Sequence, residues 1–146
     1  MSQILLIEDN EGDVLLTTVI LKDIDPSINI QVARDGEEAL GVLDMIRIKR
    51  NGSRPSLILL DVNLPKRNGF EILSYIKNTE FLCSIPVVML TTSSFSKDRL
   101  LAFENKADDF LTKSSELVEF QETIQHLYDF WIKNTPEGKV SPACNH

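Results

Sequence analysis

Four segments of the chain gather apolar residues and then stop on a polar one. ILLI runs into Glu8 and Asp9, LILL into Asp61, VVML into Thr91, and DFLT into Lys113. Short aliphatic runs closed in this way read as buried strands, while the stretches between them repeat apolar residues at helical spacing. The pattern predicts strands at Gln3–Ile7, Ile28–Ala33, Ser56–Leu60, Pro86–Leu90 and Asp109–Leu111. It predicts helices at Gly12–Ile24, Gly36–Lys49, Gly69–Asn78, Ser96–Asn105 and Ser115–Lys133. Strict alternation of the two is the signature of a doubly wound α/β domain with a parallel sheet. The third and fourth strands are the most uniformly apolar and should be the most buried.

Parallel strands end at a common edge, and ligands of open α/β sheets bind in the crevice there. Glu8, Asp9, Asp61, Thr91 and Lys113 are therefore expected to meet. Carboxylates, a hydroxyl and an ammonium in one crevice suit a magnesium ion and a phosphoryl group, since the cation neutralises the acids while lysine and threonine hold the anion. Each residue also has a plainer reading. Glu8 and Asp9 could cap the first helix, Thr91-Thr92-Ser93-Ser94 could cap the fourth through Ser94 or Ser96, and Lys113 alone would be a surface lysine. Asn63, two residues after Asp61, could add its backbone carbonyl to an oxygen cage.

The ordered set E-D, D-x-N-x-P, T and K at the ends of strands one, three, four and five resembles the receiver domain of two-component response regulators. The resemblance runs from about Gln3 to Lys133. It implies a flavodoxin-like five-stranded sheet of order 2-1-3-4-5 with helices on both faces. It implies that Asp61 accepts a phosphoryl group from a sensor histidine kinase, with Glu8, Asp9, Asp61 and the Asn63 carbonyl holding Mg2+ and with Thr91 and Lys113 binding the phosphoryl group. Phe110 takes the place of the switch aromatic that follows Thr91. LDVNLP, VVMLTTS, LTKS and the late Phe130-Trp131 pair look most similar to single-domain regulators paired with phytochromes. On this reading the protein is a phosphoacceptor rather than an enzyme, with self-phosphotransfer and slow self-dephosphorylation as its only chemistry. Asn63 and Ser93 lie where they would aid or block the attacking water. The family usually has proline after the lysine, joined by a cis bond; here Ser114 follows Lys113, and a cis bond before serine costs roughly 2.5–4 kcal/mol.

Composition narrows the remaining possibilities. The chain has 146 residues, 42% of them hydrophobic, and a formal net charge of −7. That fits one core and opposes a nucleic-acid surface, despite the basic segment RIKRNGSRP between Arg47 and Pro55. No apolar run is long enough to span a bilayer, and the first residues lack the features of a signal peptide, so a cytoplasmic protein is expected. Cys83 and Cys144 have no metal-ligand spacing and read as ordinary thiols; His126 and His146 read as surface residues. NTPEGKVSPACNH should be a flexible tail, giving a receiver over 1–133, a tail over 134–146 and no effector domain. Output would then pass through a downstream protein or phosphotransfer partner.

In the last helix Leu117, Phe120, Ile124, Leu127, Tyr128 and Trp131 form a stripe expected to face the core. Phe130 lies roughly 220° around the helix from Leu117 at about 100° per residue. Phe130, Trp131 and Ile132 are accordingly expected at a homodimer interface. Rival readings are a receiver-like scaffold that works without phosphorylation, a flavin- or nucleotide-binding flavodoxin-like protein, and a metal-dependent phosphatase. No phosphate-binding glycine loop follows the first strand, which disfavours the second.

Overall fold

A computed structural model describes residues 2–49, 54–92 and 96–133. The order is β1 (Gln3–Ile7), α1 (Glu11–Ile24), β2 (Asn29–Ala33), α2 (Gly36–Lys49), β3 (Leu57–Asp61), α3 (Gly69–Lys77), β4 (Val87–Thr91), α4 (Ser96–Glu104), β5 (Asp109–Thr112) and α5 (Leu117–Tyr128). A π-helical turn over Asp129–Lys133 continues α5. All strand pairs are parallel, in the order β2-β1-β3-β4-β5, as the family resemblance implied.

Alternation along each strand builds a core on both sheet faces. Leu5, Ile7, Ile58, Leu60, Val87 and Met89 point to the side covered by α2, α3 and α4. Ile4, Leu6, Leu57, Leu59, Val88 and Leu90 point to the side covered by α1 and α5. β3 and β4 are buried at every position, because they are central in the sheet and roofed on both faces.

Two expectations fail in α5. Trp131 and Ile132, expected at a dimer interface, are 7% and 2% exposed and belong to the core shared with α1. The π turn holds more residues per turn than an α turn, and this wider winding returns Ile132 to the buried stripe beside Trp131. Phe130 alone of the three is exposed, with its ring edge-on to Trp131 at 4.8 Å between centroids. Leu117, expected in the core stripe, begins the helix and is exposed. Cys83 also departs from expectation: it is fully buried and disulfide-bonded. Cys144, the tail and residues 50–53 lie outside the described residues.

Candidate functional site

β1 and β3 are neighbours in register, with Ile7 opposite Leu60, so the residues that follow them emerge side by side. Glu8, Asp9 and Asp61 bring carboxylate oxygens within 4.8 Å of one another. Glu8 and Asp61 are buried and Asp9 is exposed, which leaves the trio open to solvent on one side. An all-oxygen donor set of this kind fits a hard divalent cation. Asn63 lies at the rim, exposed, and its amide donates to Asp61 Oδ1 at 3.2 Å.

Lys113 follows β5 and is carried over the trio because its own amide donates to the Thr91 carbonyl at 2.7 Å. Its ammonium donates to Glu8 Oε1, to Asp13 Oδ2 at 3.0 Å and to Asp61 Oδ2 at 3.5 Å. Burial opposes the charged ammonium, but the hydrogen bond to Glu8 and the charges of Asp61 and Glu8 outweigh it and raise its pKa. Glu8 shifts upward for a different reason. Burial and the hydrogen-bonded Asp61 carboxylate push it up to about 7, although Lys113 pulls it down. Glu8 can therefore hold a proton near neutral pH.

Thr91 closes β4, fully buried, next to β5 at Thr112. Phe110 is buried at 2% exposure in the core beneath α4. The Arg99 guanidinium of α4 covers the Phe110 ring at 5.3 Å from its centroid, so the aromatic is tied to α4 by a cation–π contact. The Lys113–Ser114 peptide is trans. Ser93 and Ser94 lie outside the described residues, as does the side chain of Ser96, so their expected roles in capping or hydrolysis fall outside them too. His126 is exposed, as expected.

The loop between β3 and α3 is set by two close approaches. A Cβ on Gly69 would lie 2.3 Å from the Asp61 backbone oxygen and 2.9 Å from Val62 Cα. A Cβ on Gly36 would lie 2.2 Å from the Arg67 Cβ. Only hydrogen fits at either position, and the Gly69 amide donates to the Val62 carbonyl at 2.8 Å.

Sequence reasoning missed Asp13. In the chain it looks like a solvated first-turn acid, the type favoured by the helix dipole, and only its reach to Lys113 sets it apart.

Residues 4–125 match the model of the response regulator receiver domain. The chain belongs to that family. Receivers work in two-component phosphorelays, between sensor histidine kinases and downstream partners. This receiver is 38% identical to the response regulator Rcp1 of Synechocystis over 130 residues, 89% of this chain and 88% of that protein. It is similar to the crystal structure of the phosphorylated cyanobacterial phytochrome response regulator RcpA, with a TM-score of 0.84 and 35% identity over 91% of this chain and 95% of that one. The Mn2+-bound form of Rcp1 matches with a TM-score of 0.79 and 35% identity over 91% and 96% of the two chains. The receiver is thus related to phytochrome response regulators, and among its described residues no helix is long and apolar enough to cross a membrane.

Proposed function

We propose that Asp61 is the phosphoryl acceptor of a cytoplasmic response regulator served by a sensor histidine kinase, with a phytochrome as the sensor. The observation that carries this reading is the convergence of Glu8, Asp9 and Asp61 beneath the Lys113 ammonium at the sheet edge. In the transfer, a carboxylate oxygen of Asp61 forms a bond to phosphorus while the bond from phosphorus to the kinase histidine breaks. Glu8, Asp9, Asp61 and the Asn63 carbonyl would hold Mg2+, which supplies charge neutralisation for the anionic acceptor and the incoming anion. Lys113 holds a second positive charge at the same place, and Thr91 offers a hydroxyl to the phosphoryl oxygens. The protein works as an acceptor, without turnover of a free substrate. The Mn2+ bound by Rcp1 supports a divalent ion in the crevice.

The switch would run from Thr91 to Phe110 and from there, through Arg99, to α4. An added phosphoryl group brings about −1.5 to −2 charge and strong new acceptors, which draw the Thr91 hydroxyl toward Asp61. α4 exposes Leu100 and Phe103, and the turn after α5 exposes Phe130. These apolar side chains support self-association centred on Phe130, without Trp131 or Ile132.

Incubation with acetyl phosphate and Mg2+ tests the acceptor assignment: wild type should take up base-labile phosphate and Asp61→Asn should not. Labelling of Asp61→Asn at the wild-type rate would overturn it. Sedimentation of wild type and Phe130→Ala, with and without phosphorylation, tests self-association; a monomer at high micromolar concentration in both states removes it.

A further inference from the structure

In a capping box, the acid at the third helical position reaches back to the amide of the N-cap residue. α1 is laid out for such a box, with Asn10 as N-cap and Asp13 at the third helical position, and the Asn10 side chain accepts the Asp13 amide at 3.0 Å. The reciprocal half is replaced. The Asn10 amide donates to Glu8 Oε2 at 3.2 Å, which releases the Asp13 carboxylate from capping. That carboxylate turns instead across the crevice and accepts from Lys113 at 3.0 Å.

Lys113 thus has carboxylate partners of two kinds. Glu8 and Asp61 belong to the acidic trio with Asp9, and Asp13 stands outside it. A divalent cation held by the trio and the Lys113 ammonium draw on the same two carboxylates, Glu8 and Asp61, so each weakens the hold of the other. Asp13 lies outside the trio, so a cation held there would leave its contact with Lys113 unshared. It is also placed so that the ammonium seated on it lies 3.5 Å from Asp61, within reach of a group arriving there.

We propose that Asp13 is a positioning residue for phosphoryl transfer. It seats the Lys113 ammonium while Glu8, Asp9 and Asp61 bind a divalent cation, so that lysine and cation share the crevice. This rests on the reading of the trio as cation donors given under the proposed function.

The test is Mn2+ titration of the unphosphorylated full chain, with free Mn2+ followed by electron paramagnetic resonance and no phosphodonor present. Asp13→Asn should weaken Mn2+ binding about fivefold, since contacting charged groups couple at this level. Lys113→Ala should strengthen it. In the Lys113→Ala background, Asp13→Asn should change affinity by less than about twofold, because its effect is routed through the lysine. Asp13→Ser, which keeps a residue suited to the start of a helix, should behave as Asp13→Asn and guards against a folding defect seen by circular dichroism. Equal weakening in both backgrounds would show Asp13 acting as a bare charge and overturn the proposal, as would an unchanged affinity in the wild-type background. A wild type that binds no Mn2+ removes the cation reading and the seat together; a wild type that binds while Asp13→Asn has no effect removes the seat alone.

Discussion

Lys77 and Asp108 form an ion pair at 2.9 Å with each side chain 1% exposed. The pair sits at the starting edge of the sheet, away from the acidic crevice: Asp108 precedes β5 and accepts the amide of Val87, the first residue of β4, at 2.8 Å. Lys77 also donates to the carbonyls of Cys83 at 3.2 Å and Ile85 at 2.9 Å, which occupies all three ammonium hydrogens. Burial presses the Lys77 pKa down and Asp108 opposes it. Lys77→Met strands a buried carboxylate and should cost about 3–5 kcal/mol in urea denaturation. Adding Asp108→Asn should recover most of the loss. A single-variant loss under about 1 kcal/mol would mean that the pair contributes little.

Gly69→Ala should destabilise by about 1–3 kcal/mol, since the new methyl meets backbone atoms of Asp61 and Val62 that cannot turn aside. Mn2+ affinity should fall with it, because the strain is delivered to the peptide of Asp61, one of the three clustered carboxylates. Gly41→Ala is the control. Nothing lies within 4 Å of a Cβ at that helical position, so it should stabilise by about 1 kcal/mol. Thermal denaturation that ranks the two variants in the opposite order would contradict both expectations.

The raised pKa of Glu8 fixes a pH dependence. Between about 4.5 and about 7, the cation-free folded protein holds a proton that the unfolded chain has released, so stability should fall as pH rises through that window. A divalent cation requires the carboxylate, so its binding expels the proton. Calorimetry in buffers of different ionisation enthalpy should find close to one proton released per ion at about pH 6 and few at about pH 8. A count near zero in the more acidic buffer would be incompatible with the raised pKa.

Lys106 has φ 68°, in the left-handed region. It ends α4 in a Schellman arrangement, with Lys106 N–H on the Phe103 carbonyl at 3.0 Å and Ala107 N–H on the Ala102 carbonyl at 2.9 Å. A side chain there costs roughly 1–2 kcal/mol, partly offset by the greater freedom of an unfolded glycine. Lys106→Gly should therefore stabilise by about 0.5–1 kcal/mol, seen as a higher denaturation midpoint at unchanged slope.

The strand-closing residues could be read from the sequence because a buried aliphatic run changes abruptly to an acid, threonine or lysine only where the strand leaves the core. Parallel topology then brings those ends to one edge, and the structure places Glu8, Asp9, Asp61 and Lys113 together there. Asp13, Arg99 and the Lys77–Asp108 pair were not legible, since single charged residues on helices or in loops look solvated until tertiary contacts select their partners. The π turn was hidden for a related reason. No residue type marks it, and extrapolating an even helical period through Ile132 set that residue at the edge of the stripe rather than in the core.

Among the described residues, few apolar side chains anchor α4. Ala102 is fully buried, Arg99 lies over Phe110, and Leu100 and Phe103 face outward at 59% and 54% exposure. A helix with so small an apolar anchor is the part of a domain that detaches in sub-global openings, well before β3 and β4 lose protection from hydrogen exchange. Where docked and released forms of such a helix differ by little free energy, a ligand with modest preference for one of them can set the ratio. Weak seating would make this receiver adjustable: under the proposed switch, a change of contacts at Thr91 would have only to tilt the balance between docked and released α4.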